Sequence, residues 1–366
     1  MTTVPIRNRP GHSPPGGSPS SGAVPDVSVL VNGKRLPASA AQDLRSVTVE
    51  DDVHALSMFT LELLNWDTDR LRVTWSDSSL FAVGNEVEIW LGYAGDLSRV
   101  MLGEITGLEP AFGTGQPPML TVRGYDHGHR LARGTATRTF VNMRDSDIAR
   151  QIAGRTGLGA QARTTAVVPG YVIQANQSDW EFLQQRAGRI GYEAYVREKV
   201  LHFRPPAVAD PPAEKLSLGQ EITQFTARLS AQSQASEVTV RGWNVREKKA
   251  VVGAVRAGPA AGGRPSGPAA GGRAFGKASE TTIRLPVRSK AEADAVAQAT
   301  FSEMALTYVE AEVVARGRPR LRAGTVVDIS GAGDTFGGGY YVTSVTHVVT
   351  PAQGYQTSLT AARSSA

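Results

Sequence analysis

Apolar and polar residues alternate with a period of two through most of this chain and switch to a helical period in only a few places. Val27, Val29 and Val31 alternate ahead of Asn32-Gly33, a dipeptide suited to two-residue hairpin turns. Leu44 to Glu50 and Phe59 to Leu64 continue the pattern, followed by Asn85 to Leu91, a turn at Gly92 and Gly95, Val100 to Ile105 and Met119 to Arg123. Many short strands separated by turns predict a small antiparallel barrel over residues 26–135.

The period then changes. Residues 136–215 read as an α+β insert, with a short helix through Ile148, Ile152 and Ala153 that ends over Gly154 to Gly159. Further on, Ser178 and Asp179 precede Trp180, Phe182, Leu183 and Ala187, which is amphipathic helical spacing behind a polar cap. Glu181 stands three residues after Ser178 and completes a capping box. Gly191 is placed to end that helix, because glycine takes the left-handed terminal position at little steric cost. Tyr192, Ala194 and Val196 then alternate, as do Leu201 and Phe203, which predicts a hairpin. Pro205, Pro206, Pro211 and Pro212 close the insert.

Strand signals return over residues 216–366, and we expect a second barrel there. Its strands lie at Ile222 to Leu229, Val238 to Trp243, Thr282 to Leu285, Glu310 to Ala315, Gly324 to Ile329, Tyr340 to Val349 and Tyr355 to Ala361. One long helix, Ser289 to Glu303, is expected to turn Ala295, Val296, Ala299 and Phe301 inward. A Gly/Pro/Ala stretch, Gly258 to Gly276, reads as a flexible loop over residues 256–278, and the Pro/Gly/Ser-rich residues 1–25 read as a disordered tail. The predicted fold class is therefore mainly β (α+β): two small antiparallel β-barrels with an α+β insert between them.

Composition narrows the chemistry. With 366 residues the chain has room for two or three domains. A net charge of +5 suits an acidic partner but is too mild for a nucleic-acid footprint, and Arg246 to Lys249 reads as solvated surface. The absence of cysteine removes disulfides, thiolate nucleophiles and thiolate metal sites. No signal-peptide core is present, and no apolar run reaches the roughly 20 residues that span a bilayer. We expect a cytoplasmic protein that joins an assembled particle, without membrane insertion of its own.

The wording of two segments is more specific than their periodicity. Gln174 to Phe203 contains N-x-S-D-x-E-F-L-x-x-R-A-x-x-x-G-Y followed by L-x-F. Leu321 to His347 contains L-x-A-G-x-x-V-x-I-x-G-x-G-x-x-F-x-G-x-Y-x-V-x-x-V-x-H, and Tyr355 to Arg363 adds Y-x-T-x-L-x-A-x-R. Together with Leu120 to Asp126, these resemble the phage late control D family, whose core the VgrG proteins of type VI secretion share. The family-motif residues are Ser178, Asp179, Phe182, Leu183, Gly191, Tyr192, Gly331, Gly333, Phe336, Gly338, Tyr340, Val342 and His347. The resemblance implies a homotrimeric baseplate hub of a contractile injection apparatus, two barrels per subunit making a pseudo-sixfold ring. Such a ring joins a hexameric inner tube to a trimeric spike and touches other baseplate proteins. Larger members continue into a spike of their own, so here the spike is expected to be a separate protein.

Enzymatic readings have little support. His127 and His129, on alternating strand positions, would point to opposite faces and so not share a metal. The glycine run Gly331 to Gly339 precedes a strand rather than the helix that a phosphate loop needs. Asp51, Asp52, Asp67 and Asp69 sit in turn-like context, and His347 reads as packed rather than catalytic. Trp180 and Phe182 read as core rather than a sugar-stacking platform. No catalytic, cofactor or metal residue is assigned. The competing function is a cell-wall glycan-binding or hydrolysing module centred on the insert.

Overall fold

The computed structural model describes residues 24–257, 265–275 and 280–366. The tail assigned to residues 1–25 therefore lies almost wholly outside the described residues. Strands dominate, and most of them belong to one thirteen-stranded sheet. The first part of the chain supplies Pro25–Val31, Lys34–Arg35, Leu44–Asp52, Met58–Leu64, Glu86–Tyr93, Asp96–Gly113 and Gln116–Asp126. The Asn32-Gly33 turn forms as expected, both residues at positive φ (49° and 74°). The last part supplies Glu214–Ser217, Ile222–Leu229, Val309–Arg316, Val326–Ser330, Gly338–Thr350 and Gly354–Arg363.

The two expected barrels are not separate bodies. Along the main path the sheet runs from Ile222–Leu229 at one end to Lys34–Arg35 at the other, and among the described residues it does not close. The strand Gly338–Thr350 joins the halves. Its first residues pair with Val326–Ile329, and after a bulge between Val342 and Ser344 it pairs with Leu44–Asp52 over Ser344↔Asp52 to Val349↔Val47. A bulge bends and twists a strand locally, so one strand serves two partners on the same edge. Each half still has its own core. Val47, Phe59, Leu61, Ile89 and Leu120 lie in one, and Leu216, Val313, Val327, Tyr340 and Leu359 in the other.

Between the halves the insert forms a third core around Phe140, Ile148, Ile152, Phe182, Leu183 and Phe203. Helices Asp145–Arg155 and Asp179–Arg189 pack there with the hairpin Glu193–Arg197/Val200–Arg204. A fourth core belongs to a three-stranded sheet (Glu237–Asn244, Lys249–Arg256, Glu280–Arg284) covered by the helix Lys290–Leu306. That helix buries Ala293, Val296, Ala297 and Ala299, while Ala295 and Phe301 are only half-buried. The stretch expected to be a flexible loop holds a helix at Gly267–Phe275, with Gly267 and Pro268 buried. The rest of that loop falls partly outside the described residues.

Candidate functional site

The end of Leu44–Asp52 brings the insert and the two sheet halves together. Val47 and Val49 face inward, and the two-residue period carries Asp51 to the same side, where it is buried. Arg197 of the insert donates to Asp51 Oδ2 (3.1 Å) and to the Ala323 carbonyl (2.7 Å). Arg322 donates its Nε to the same carboxylate oxygen (2.9 Å), as does the Ala323 amide (3.1 Å), and the Ser57 hydroxyl donates to Oδ1 (3.1 Å). Burial alone would push the Asp51 carboxyl up, but the two guanidinium charges and these bonds outweigh it and hold it at about 2. Val53, Tyr195 and Ala323, one from each part, cover the pairs with a small apolar cluster. Thus Asp51 is no turn residue. Asp52 is, accepting from the amides of His54 (2.6 Å) and Ala55 (3.1 Å), and Asp67 does the same for Asp69 and Arg70.

The same junction extends on both sides. Tyr195 stacks on His202 (centroids 4.8 Å, 9° between planes) and lies under the guanidinium groups of Arg197 and Arg204. Arg204 donates to the Gly324 carbonyl (2.8 Å). Glu193 accepts from the Tyr341 hydroxyl, and its burial pushes that carboxyl up. Asp126 accepts from the amides of Ser57 (3.0 Å) and Gly128 (2.6 Å), and burial, reinforced by the charge of Asp51, raises it to about 7.

A second polar cluster braces the insert against the first sheet half. Asp126 caps a short 3-10 turn, His127–Arg130, so the strand stops there and the histidines do not alternate. Both imidazoles instead face Glu104, His129 at 2.7 Å and His127 at 4.0 Å, with His127 also 3.2 Å from Glu86. Burial would raise Glu104, yet bonds from Arg130 and His129 hold it at about 2. The turn Glu198-Lys199, both residues at positive φ, reaches across with ion pairs to Arg99 and Glu86. An open hollow of about 780 Å³ lies beside Glu104, His129, Arg130 and Arg133. Its one buried carboxylate is ionised and saturated with donors, which suits bracing rather than proton transfer. Among the described residues no group of three or more His, Cys, Asp or Glu side chains is placed to hold a metal ion.

The motif residues serve local architecture and are not gathered into one site. Ser178 and Glu181 form the capping box, amide to carboxylate 2.9 Å and amide to hydroxyl 3.1 Å, and Asp179 binds Arg138 (2.7 Å). Phe182 stacks on Phe140, and Leu183 is buried beside them. After Arg189 the helix closes with Tyr192 N–H to Ala187 O (2.9 Å) and Gly191 N–H to Gly188 O (3.2 Å), the double bond pattern of a left-handed stop. Gly191 has φ +68°, and a Cβ there would sit 3.0 Å from Ala299 Cα. Gly331, Gly333, Phe336 and Gly338 shape the link between Val326–Ser330 and Gly338–Thr350, including one helical turn, Gly333–Phe336. Tyr340 reaches the Phe336 carbonyl (2.8 Å) and lies under Arg363, and Val342 is buried at the bulge. His347 is fully buried, with Nε2 3.2 Å from the Leu321 carbonyl and Nδ1 near the hydroxyls of Tyr355 (2.9 Å) and Thr357 (3.1 Å). A carbonyl only accepts, so the proton is on Nε2; burial and the nearby Arg322 charge lower this group to about 4 and keep it neutral.

Residues 21–351 match the family model described as the Alg8 N-terminal domain. The chain belongs to that family. It is this family, and not late control D, whose model matches. No curated protein matches the chain by sequence. Among solved structures, the fold of this family member is similar to a 43 kDa tail protein of prophage MuSo2 from Shewanella oneidensis, with TM-score 0.70, 15% identity, 93% of this chain and 98% of that one. A tail protein from Neisseria meningitidis gives 0.67 at 14% identity, covering 93% and 96%. An Escherichia coli component of the type VI secretion system, described as similar to bacteriophage T4 tail proteins, gives 0.58 at 12%, covering 92% and 77%. The chain thus has the fold of phage tail and type VI secretion proteins. Among the described residues, no helix is long and apolar enough to cross a membrane.

Proposed function

We propose that the chain is a non-catalytic baseplate hub of a contractile injection apparatus, a homotrimeric ring between a hexameric inner tube and a separate trimeric spike. The observation that carries this reading is the near-complete overlap, in both directions, with phage tail proteins. The polar clusters support it, since at Asp51 and Glu104 the buried carboxylates are saturated by fixed partners that brace the chain. The side chains of the glycan-module alternative are spent in the core: Phe182 is buried and Trp180 packs against the same cluster. Native mass across a dilution series tests the proposal. A stable trimer of the 38.8 kDa chain that binds a candidate spike protein is expected. A monomer that binds neither spike nor tube protein and is retained by peptidoglycan would overturn it.

A further inference from the structure

The three-stranded sheet turns its outer face away from the helix Lys290–Leu306, because Val238, Val240, Val251 and Ile283 fill its inner face. Strand register places Arg241 beside Arg284 on one neighbour and beside Val252 on the other, with Trp243 two residues along the same face. All four are exposed, Trp243 at 56%. The adjoining turn adds exposed Arg246 and Lys248 around a Glu247–Lys249 ion pair (2.6 Å). Among the described side chains of this face the carboxylate is Glu237, which is held by Arg256 (2.9 Å), and neither Arg241 nor Arg284 forms an ion pair with a described residue. Like charges side by side on neighbouring strands destabilise a sheet unless an anion meets them.

The outer face of the thirteen-stranded sheet has the complementary character. Register sets Glu312, Thr360, Ser344 and Asp52 in one row and Ser358, Thr346 and Glu50 in the next. Glu312 and Glu50 are exposed and, among the described residues, form no ion pair. Among the described residues, one chain therefore carries an arginine pair without an ion pair beside an exposed tryptophan on one face, and Glu50 and Glu312 without ion pairs in a field of hydroxyls on another.

We propose that these two faces meet between copies: Arg241, Trp243 and Arg284 of one subunit seat on the Glu50 and Glu312 face of the next. This rests on the homotrimer reading and assigns its contact. Two different patches make a head-to-tail contact, which closes into a ring when the rotation allows. Tryptophan and arginine are the residue types that dominate such contacts.

Charge reversal in the full chain tests the assignment, with mass read by light scattering and fold by circular dichroism. R241E/R284E and E50R/E312R should each fall to monomers, with association weakened at least about a hundredfold. The quadruple swap, which restores opposite charges across the contact, should recover the trimer. Two double variants that remain trimeric would overturn this contact and leave the ring intact. A wild-type monomer at every concentration would overturn both. Binding of a labelled single-stranded oligonucleotide by the wild type, lost in R241E/R284E without a change of mass, would give the face to a polyanion instead.

Discussion

Replacing Asp51 with alanine strands two guanidinium groups. Arg197 and Arg322, with side chains only 20% and 17% exposed, both lean on this carboxylate at 3.1 and 2.9 Å. Removing one partner from a buried pair costs about 3–5 kcal/mol, because the remaining charge stays desolvated. With a urea slope of about 3 kcal/mol per molar, the unfolding midpoint should drop by about 1 M or more. The apolar triple variant D51L/R197M/R322M removes the charges together and should lie much closer to wild type than D51A does. The pH dependence has a definite sign. Asp51 is depressed from 3.8 to about 2, so its contribution is present above pH 4 and disappears as pH falls toward 2. That shift corresponds to about 2–3 kcal/mol. Urea midpoints measured for the three proteins at pH 7 and at stepwise lower pH test all of this. If D51A unfolds at the wild-type midpoint, or is no weaker than the triple variant, the junction does not hold the three parts as argued.

The other predictions concern local features. Gly191→Val forces a β-branched residue to φ +68° and into Ala299, and should cost about 2–3 kcal/mol by chemical denaturation; an unchanged midpoint would mean the helix stop tolerates side chains. Ser178→Ala removes the capping box and should cost about 1 kcal/mol, with amide exchange rising in the first turn of Asp179–Arg189. His347 is lowered to about 4, so wild-type stability should fall as pH drops from 6.5 toward 4; His347→Gln should flatten that limb, and an identical limb would place the titration elsewhere. Asp126 is raised to about 7, which has the opposite sign: stability is lost as pH rises from 4 toward 7, and Asp126→Asn should remove that decline.

What the sequence discloses follows the range of the forces involved. The capping box at Ser178, the stop at Gly191 and the hairpin after it depend on neighbours within a few residues, and all were legible. His127 and His129 do not alternate as their strand context predicts, because Asp126 ends the strand by capping Gly128, a signal present in Asp-His-Gly but outweighed by the preceding alternation. Asp51 could have been found from parity, since Val47 and Val49 mark its face as inward. Its partners Arg197 and Arg322 could not, because nothing local ties them to it. The helix Gly267–Phe275 defies its composition for a packing reason. A Cβ at Gly267 would stand 2.6 Å from the Tyr308 ring, so glycine permits the close approach that holds the segment. Each half alternates cleanly and so predicts a barrel of its own, while the pairing that fuses them leaves no mark beyond a bulge.

That pairing also sets a timetable. The strand Leu44–Asp52 can pair with its neighbour Met58–Leu64 as soon as both have left the ribosome, but its other edge must wait for Ser344 to Val349. At 5–20 residues per second, the roughly 290 residues between them take about 15–60 s to synthesise. Throughout that interval the nascent first half presents an unpaired edge, the kind of template on which chains aggregate. A late-arriving strand makes completion of the earliest half the last step of folding, so truncation just before Gly338 should leave a chain that collapses its first core yet stays dependent on chaperones.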